Sequence, residues 1–131
     1  MAILEAELRT FLLGGATIAG KVAQRVYPQV LPQNVVYPAI SYEPVSKPRL
    51  RDIEGPTGRA LPRIRISCWA KTFVAAKELA DDVRRRLDGY RGPMGAWRIG
   101  SSQLAAEIDL YDDTVQAHRT IVDFRLSYVE S

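Results

Sequence analysis

The segment Arg63-Ile64-Arg65-Ile66-Ser67-Cys68-Trp69 alternates without a break, placing Ile64, Ile66 and Cys68 on one face and Arg63, Arg65, Ser67 and Trp69 on the other. A period of two with opposite chemistry on the two sides is the pattern of a strand buried on one face only. It runs into a helical pattern. Phe73, Ala76, Leu79, Ala80, Val83 and Leu87 form one stripe, Lys77, Asp81, Asp82, Arg84 and Arg85 form the solvent side, and Asp88-Gly89 ends the element. The fold must therefore give this strand one dry side and this helix one apolar surface to cover.

The flanking segments limit how that is done. Residues 3–13 carry Leu4, Leu8, Phe11 and Leu12 at helical spacing, with Glu5 and Glu7 near the N-terminus and Gly14-Gly15 as the stop. From Ala16 to Gln24 the pattern supports one short helical turn. Arg25 to Pro32 is extended by its prolines and reads as an edge strand or an irregular arm. Val35 to Val45, with Tyr37, Ile40 and Tyr42, predicts a second strand. Ala96 to Leu110 and His118 to Val129 predict two closing strands joined by a turn over Tyr111 to Ala117. In the last strand Val122, Phe124, Leu126 and Tyr128 point inward, and Arg119, Asp123, Arg125 and Ser127 outward.

This order does not repeat a strand and crossover helix, so the pattern predicts an α+β fold: an antiparallel or mixed sheet with helices on one face. At 131 residues the chain is the length of a single domain, 1–131, and its one Cys cannot make an internal disulfide. The longest weakly charged stretch, Thr10 to Ala19, is about half of what a membrane span needs, and the N-terminus has neither the basic head nor the cleavage site of a signal peptide. The expectation is a chain assembled in the cytoplasm with no membrane partner.

Few residues offer chemistry. His118 is the only His and reads as a solvent-facing polar residue, and Cys68 falls on the apolar side of its strand. Asp81 and Asp82 are neighbours on a helix and point about 100 degrees apart, whereas Asp112-Asp113 sits where turns favour Asp. Gly92, Gly95 and Gly100 lack the strand-to-helix transition and the following Lys-Ser or Lys-Thr of a phosphate loop. Arg84-Arg85-Arg86 reads as a solvated helix end. The expectation is therefore no enzyme, no cofactor, no metal site and no catalytic residue.

Charge is distributed more informatively. Residues 46–62 contain three prolines and two glycines and predict a long loop or an extended hairpin tip. Across Lys47 to Arg65, the cations Lys47, Arg49, Arg51, Arg59, Arg63 and Arg65 face only Asp52 and Glu54. That segment carries +4 against +3 for the whole chain, so the remainder is −1. Without an aromatic residue to stack a base, it fits an acidic protein surface better than nucleic acid.

The motifs Arg25-Val26-Tyr27-Pro28, Leu31-Pro32-Gln33, Tyr37-Pro38-Ala39-Ile40-Ser41-Tyr42, Cys68-Trp69-Ala70, the helix from Ala76 to Leu87-Asp88-Gly89, Asp109-Leu110-Tyr111, and Arg119 with Asp123-Phe124-Arg125 are similar to a known family. They resemble the tail-completion proteins: the tail terminators, or tail-to-head joining proteins, of long-tailed phages and gene transfer agents. The resemblance runs nearly end to end on structural signatures. It implies a small structural virion protein forming a homo-oligomeric ring, a hexamer in that family, at the head-proximal end of the virion tail. Such a ring caps the tail tube protein, stops tube elongation and offers a joining surface to the head-tail connector or stopper, while DNA passes through the channel without specific binding. The candidate contacts are the basic residues Lys47, Arg49, Arg51, Arg59, Arg63 and Arg65, together with Tyr27 and Pro28 on the Pro-rich edge. The alternatives are a head-completion or connector protein of the same particle and a DNA-binding accessory protein.

Overall fold

The alternating strand lies in the interior of the sheet because only there can one side face packed helices along its length. The computed structural model describes residues 4–46, 49–52, 55–60 and 62–129, and within 46–61 and at 129 it describes the backbone alone. In chain order the elements are α1 (Leu4–Leu13), α2 (Ala16–Val22), β1 (Val26–Pro28), β2 (Ala39–Ser46), β3 (Arg49–Asp52), β4 (Gly55–Ala60), β5 (Arg63–Ala70), α3 (Phe73–Leu87), β6 (Gly92–Met94), β7 (Trp97–Asp112) and β8 (Ala117–Val129). The strands form one mixed sheet in the order β1-β2-β5-β8-β4-β3, with β7 also paired to β8 and β6 to β7. Among the described strands only β1 and β2 run parallel. The α+β class and the mixed sheet are those expected from the sequence.

Two long ribbons build this sheet. β5 and β4 follow β8 in a single register, with Arg63 opposite Arg125, Ala60 opposite Tyr128 and Arg59 opposite Val129. β2 pairs with β5 and β3 with β4. Residues 39–70 thus contain consecutive portions of one hairpin, and among the described residues 55–58 pair only with β3. The segment read as a long loop or an extended hairpin tip contains these two strands. The other ribbon is β7 with β8, whose turn is shorter than expected: Tyr111 and Asp112 pair with His118 and Ala117, leaving only residues 113–116 in the turn. There, Asp112 Oδ1 accepts from the amides of Thr114 (2.9 Å) and Val115 (3.4 Å), the role Asp plays in turns.

One face of the sheet holds Ile40, Tyr42, Ile64, Ile66, Cys68, Val122 and Phe124, which cluster with Leu4, Leu8 and Leu12 of α1, Ile18 and Val22 of α2, and Leu79, Ala80, Val83 and Leu87 of α3. This is the core, and it takes up the stripes of all three helices. α3 is capped by Thr72, whose side chain accepts from the Ala75 amide at 3.1 Å. α2 runs for seven residues, longer than the single turn expected, because Ile18 and Val22 are both buried and hold it. β2 starts at Ala39 rather than at Val35, since Pro38 has no amide to give to a ladder. Phe73 was expected in the α3 stripe but is 49% exposed, because it opens the helix and lies beyond the edge of the core.

Close packing at Gly14 and Gly15 joins the helices. Arg86 reaches from α3 to the end of α1, donates from Nε to the Phe11 carbonyl at 2.6 Å and stacks over the Phe11 ring at 4.2 Å. A Cβ on Gly14 or Gly15 would come within 2.8 or 2.7 Å of that side chain. Arg86 is therefore not part of a solvated basic run. Its cation meets the carbonyl end of α1, where the helix dipole favours positive charge.

Candidate interaction surfaces

Opposite the core, the sheet's second face carries Ser41 and Glu43 from β2, Arg63, Arg65, Ser67 and Trp69 from β5, and Arg119, Ile121 and Asp123 from β8. Among the described residues no helix covers it, and its groups pair largely with one another, although Arg63 Nε is buried without a partner. Asp123 is fully buried (0% exposed) and accepts from Arg63 at 3.0 Å and from both nitrogens of the Arg65 fork at 3.0 and 3.2 Å. The hydrogen bond to Asp123 leads the causes that raise the Arg65 pKa above its usual value, against the opposing effect of burial. Arg119 donates to Ser67 Oγ at 3.0 Å and lies over the Trp69 ring at 4.9 Å. Trp69 in turn donates from Nε1 to Ser41 Oγ at 3.0 Å. Burial lowers the pKa of Arg119, the normal response of a cation taken partly out of water.

Sequence periodicity placed Asp123 outward, which is correct as to face and wrong as to exposure. The arginines beside it cover it with their stems and heads, as long cationic side chains do. Ile121, Trp69, Ser41 and Ser67 are buried on this same face, yet Ile121 and Trp69 stand outside the helix-side cluster. The buried Asp123 is the residue that alternation alone misses, because its partner Arg65 stands opposite it across the β5–β8 pairing and 58 residues away in the chain.

Between this face and the segment 29–37 lies a groove of about 960 Å³. The arm supplies Val30 and Tyr37, the sheet Trp69 and Arg119, and the β7–β8 turn Thr114 and Val115. Lys71 sits 5.0 Å from the Tyr37 ring centroid, and burial, aided by Asp112, raises the Tyr37 pKa.

The remaining expected residues separate spatially. Arg63 and Arg65 converge on Asp123, each 32% exposed, so much of their charge is engaged within the subunit. Tyr27 is half-buried and Pro28 exposed on β1, the short parallel edge strand. Arg49, Arg51 and Arg59 lie on β3 and β4, and Lys47 falls outside the described residues. His118, expected to face solvent, is half-buried with its ring 4.9 Å from Tyr111 and 6.1 Å from Phe73, because β8 pairs it directly with Tyr111. Cys68 is buried, and desolvation pushes its thiol pKa far up, a setting that disfavours the reactive thiolate. Among the described residues no group of three or more His, Cys, Asp or Glu is placed to hold a metal, and no helix is long and apolar enough to cross a membrane.

The opposite sheet edge differs from β1. β7 is covered at its start by β6 and then by the end of α3, where Gly89 donates to the Ser102 carbonyl and Asp88 accepts from the Leu104 amide. Beyond that, among the described residues, 105–112 pair with β8 on one side only.

The family described as tail completion protein gp17 matches residues 6–128, nearly the whole of this fold. The chain belongs to that family. It is a structural component of a phage-type virion tail. A chain from the virion of a native gene transfer agent particle has the same fold, with a TM-score of 0.81 at 22% identity, covering 96% of this chain and 94% of that one. No curated protein matches the sequence. The expected tail-completion resemblance is therefore sound at the level of family and fold.

Proposed function

We propose that this chain is a tail terminator: six copies close into a ring on the head-proximal end of the tail tube, stop its elongation and present the surface that the head connector meets. DNA passes through the ring without specific binding. The observation that carries this reading is that a member of the tail completion family has, among the described residues, unlike free edges. These include β1 with the arm that follows it, the outer side of β3, and the uncovered length of β7. A head-to-tail interface needs two different surfaces on each subunit, and it closes into a ring when the rotation per subunit divides a full turn. A subunit whose contacts are all of this kind acts through its edges and needs no catalytic group.

Electron microscopy of the purified protein with and without tail tubes tests the reading. Sixfold annuli with an open channel, formed alone or on tube ends, are expected. A protein that stays monomeric and neither caps tubes nor limits their length overturns it. Whether isolated tails or isolated heads carry the chain separates a terminator from a connector-side protein.

A further inference from the structure

The basic ribbon and the free edge of β7 are complementary in charge. Between Arg98 and Arg119 the sequence has no Lys or Arg but has Glu107, Asp109, Asp112 and Asp113, so this stretch carries −4, whereas β3 and β4 carry Arg49, Arg51 and Arg59 against Asp52, or +2. Glu107 and Asp109 are exposed, and Lys77 of α3 lies 3.4 and 3.3 Å from them. Next to them Ile108 and Leu110 are 43% and 48% exposed, which makes the edge apolar between its carboxylates. An unpaired strand edge offers a row of main-chain donors and acceptors, and like charges along it oppose pairing with its own kind. A basic strand is the partner such an edge admits.

Within one subunit the two features cannot meet. The ribbon branches from the far end of β8, at Tyr128 and Val129, on the side held by β5. The acidic stretch lies along the near end of β8, opposite residues 117–123, on the other side. About nine residues of strand separate the two ends, roughly 30 Å at the usual rise. Among the described residues the outer side of β3 is also unpaired, since β3 ends the strand order.

We infer that the basic β3–β4 ribbon of one copy lies along the acidic 105–112 edge of β7 in the next copy, the occupant of that edge being a second copy of this chain. The contact is heterologous, joining two different surfaces at opposite corners of the sheet, and it repeats from copy to copy. The inference rests on the ring reading above and specifies its interface. Ion pairs at such a rim act over about 8 to 10 Å at ordinary ionic strength, so the assembly weakens as salt is raised.

Reversing each surface separately tests this. Arg49→Glu with Arg51→Glu and Arg59→Glu gives a chain acidic on both surfaces, and Glu107→Lys with Asp109→Lys and Asp113→Lys gives one that is basic on both. Each alone is expected to lose the oligomer in light scattering after gel filtration, with circular dichroism verifying the fold. An equimolar mixture is expected to regain it, because acidic ribbons then meet basic edges and basic ribbons meet acidic edges in alternation around an even-numbered ring. Should the lysine variant fail to fold, Glu107→Gln with Asp109→Asn replaces it, and dissociation at lower salt than wild type is expected. Wild-type rings that persist in both reversed variants overturn this interface and leave the ring standing. A wild type that forms no oligomer alone or on tubes overturns the ring reading and the interface with it.

Discussion

The two faces of this sheet are buried by different means. Toward the helices, Ile64, Ile66, Val122 and Phe124 reach zero exposure by packing against three apolar stripes. Away from them, Asp123 reaches the same zero exposure beneath two arginines, and Trp69 is held by a serine hydroxyl and a guanidinium. The first face is stable because apolar area leaves water, and no partner is needed to complete it. The second is held by paired polar groups, with Arg63 Nε buried and unpartnered among the described residues, and it is thinly covered, so its groove and arm remain open to solvent. A fold whose main apolar cluster lies on one side can vary the exposed groups of the other side at less cost, which suits a subunit that works by contact.

The contrast is broken most strongly from the core side. Phe124→Ala is expected to cost about 3 to 5 kcal/mol, as for large aromatic truncations in packed interiors, read from urea unfolding. Loss of under 1 kcal/mol there places the core elsewhere. On the open face, Asp123→Ala leaves two arginines facing each other. Because both are about one-third exposed, the expected loss is about 2 kcal/mol, below the 3 to 5 typical of a fully buried broken pair. Replacing all three, with Asp123→Leu, Arg63→Met and Arg65→Met, is expected to be milder than removing Asp123 alone, since no unpaired charge remains. A triple variant worse than the single one means that the ion cluster itself stabilises the face.

A smaller effect sharpens the same comparison. Trp69→Phe removes the indole donor to Ser41 and is expected to cost about 1 kcal/mol, with a similar value for Ser41→Ala and non-additivity in the double variant. Additive losses indicate that the bond contributes nothing. The smallest effect belongs to the outer side of α3, remote from both faces. Hydrogen bonding to Arg84 holds the Asp81 carboxyl below its ordinary 3.8, with Arg85 at 2.9 Å assisting. A carboxyl depressed on folding stabilises above its unfolded pKa, and that contribution fades as pH falls through the lower folded value. The melting temperatures of wild type and Asp81→Asn are therefore expected to differ slightly at pH 6 and to converge below about pH 4. A difference that persists at low pH assigns it to something other than the ion pair.

How legible the molecule was depends on whether an element's signal is local. α3 and β5 were readable because each carries its period within a short stretch, and Ile64, Ile66, Cys68 and the α3 stripe from Ala76 to Leu87 are buried as that period requires, whereas Ser67 and Trp69 are buried on the other face against it. α2 was not, because seven residues hold too little periodicity and their helix depends on Ile18 and Val22 finding the core. Among the expected contacts, Arg63 and Arg65 were correctly placed on the wet side of β5. Their shared hold on Asp123 was invisible, since the partner lies 58 and 60 residues away.

By itself, the sequence determined the alternation of β5 and β8, the stripe of α3, the scarcity of catalytic groups and the +4 segment, because each follows from residue type and nearby spacing. Only the tertiary structure decided that β3 and β4 extend the β2–β5 hairpin beside β8, that Asp123 is buried on the uncovered face, and that the acidic length of β7 is a free edge at the opposite corner from the basic ribbon. Strand pairing couples residues distant in the chain, and the register that brings them together is set by the whole packed face rather than by any one segment.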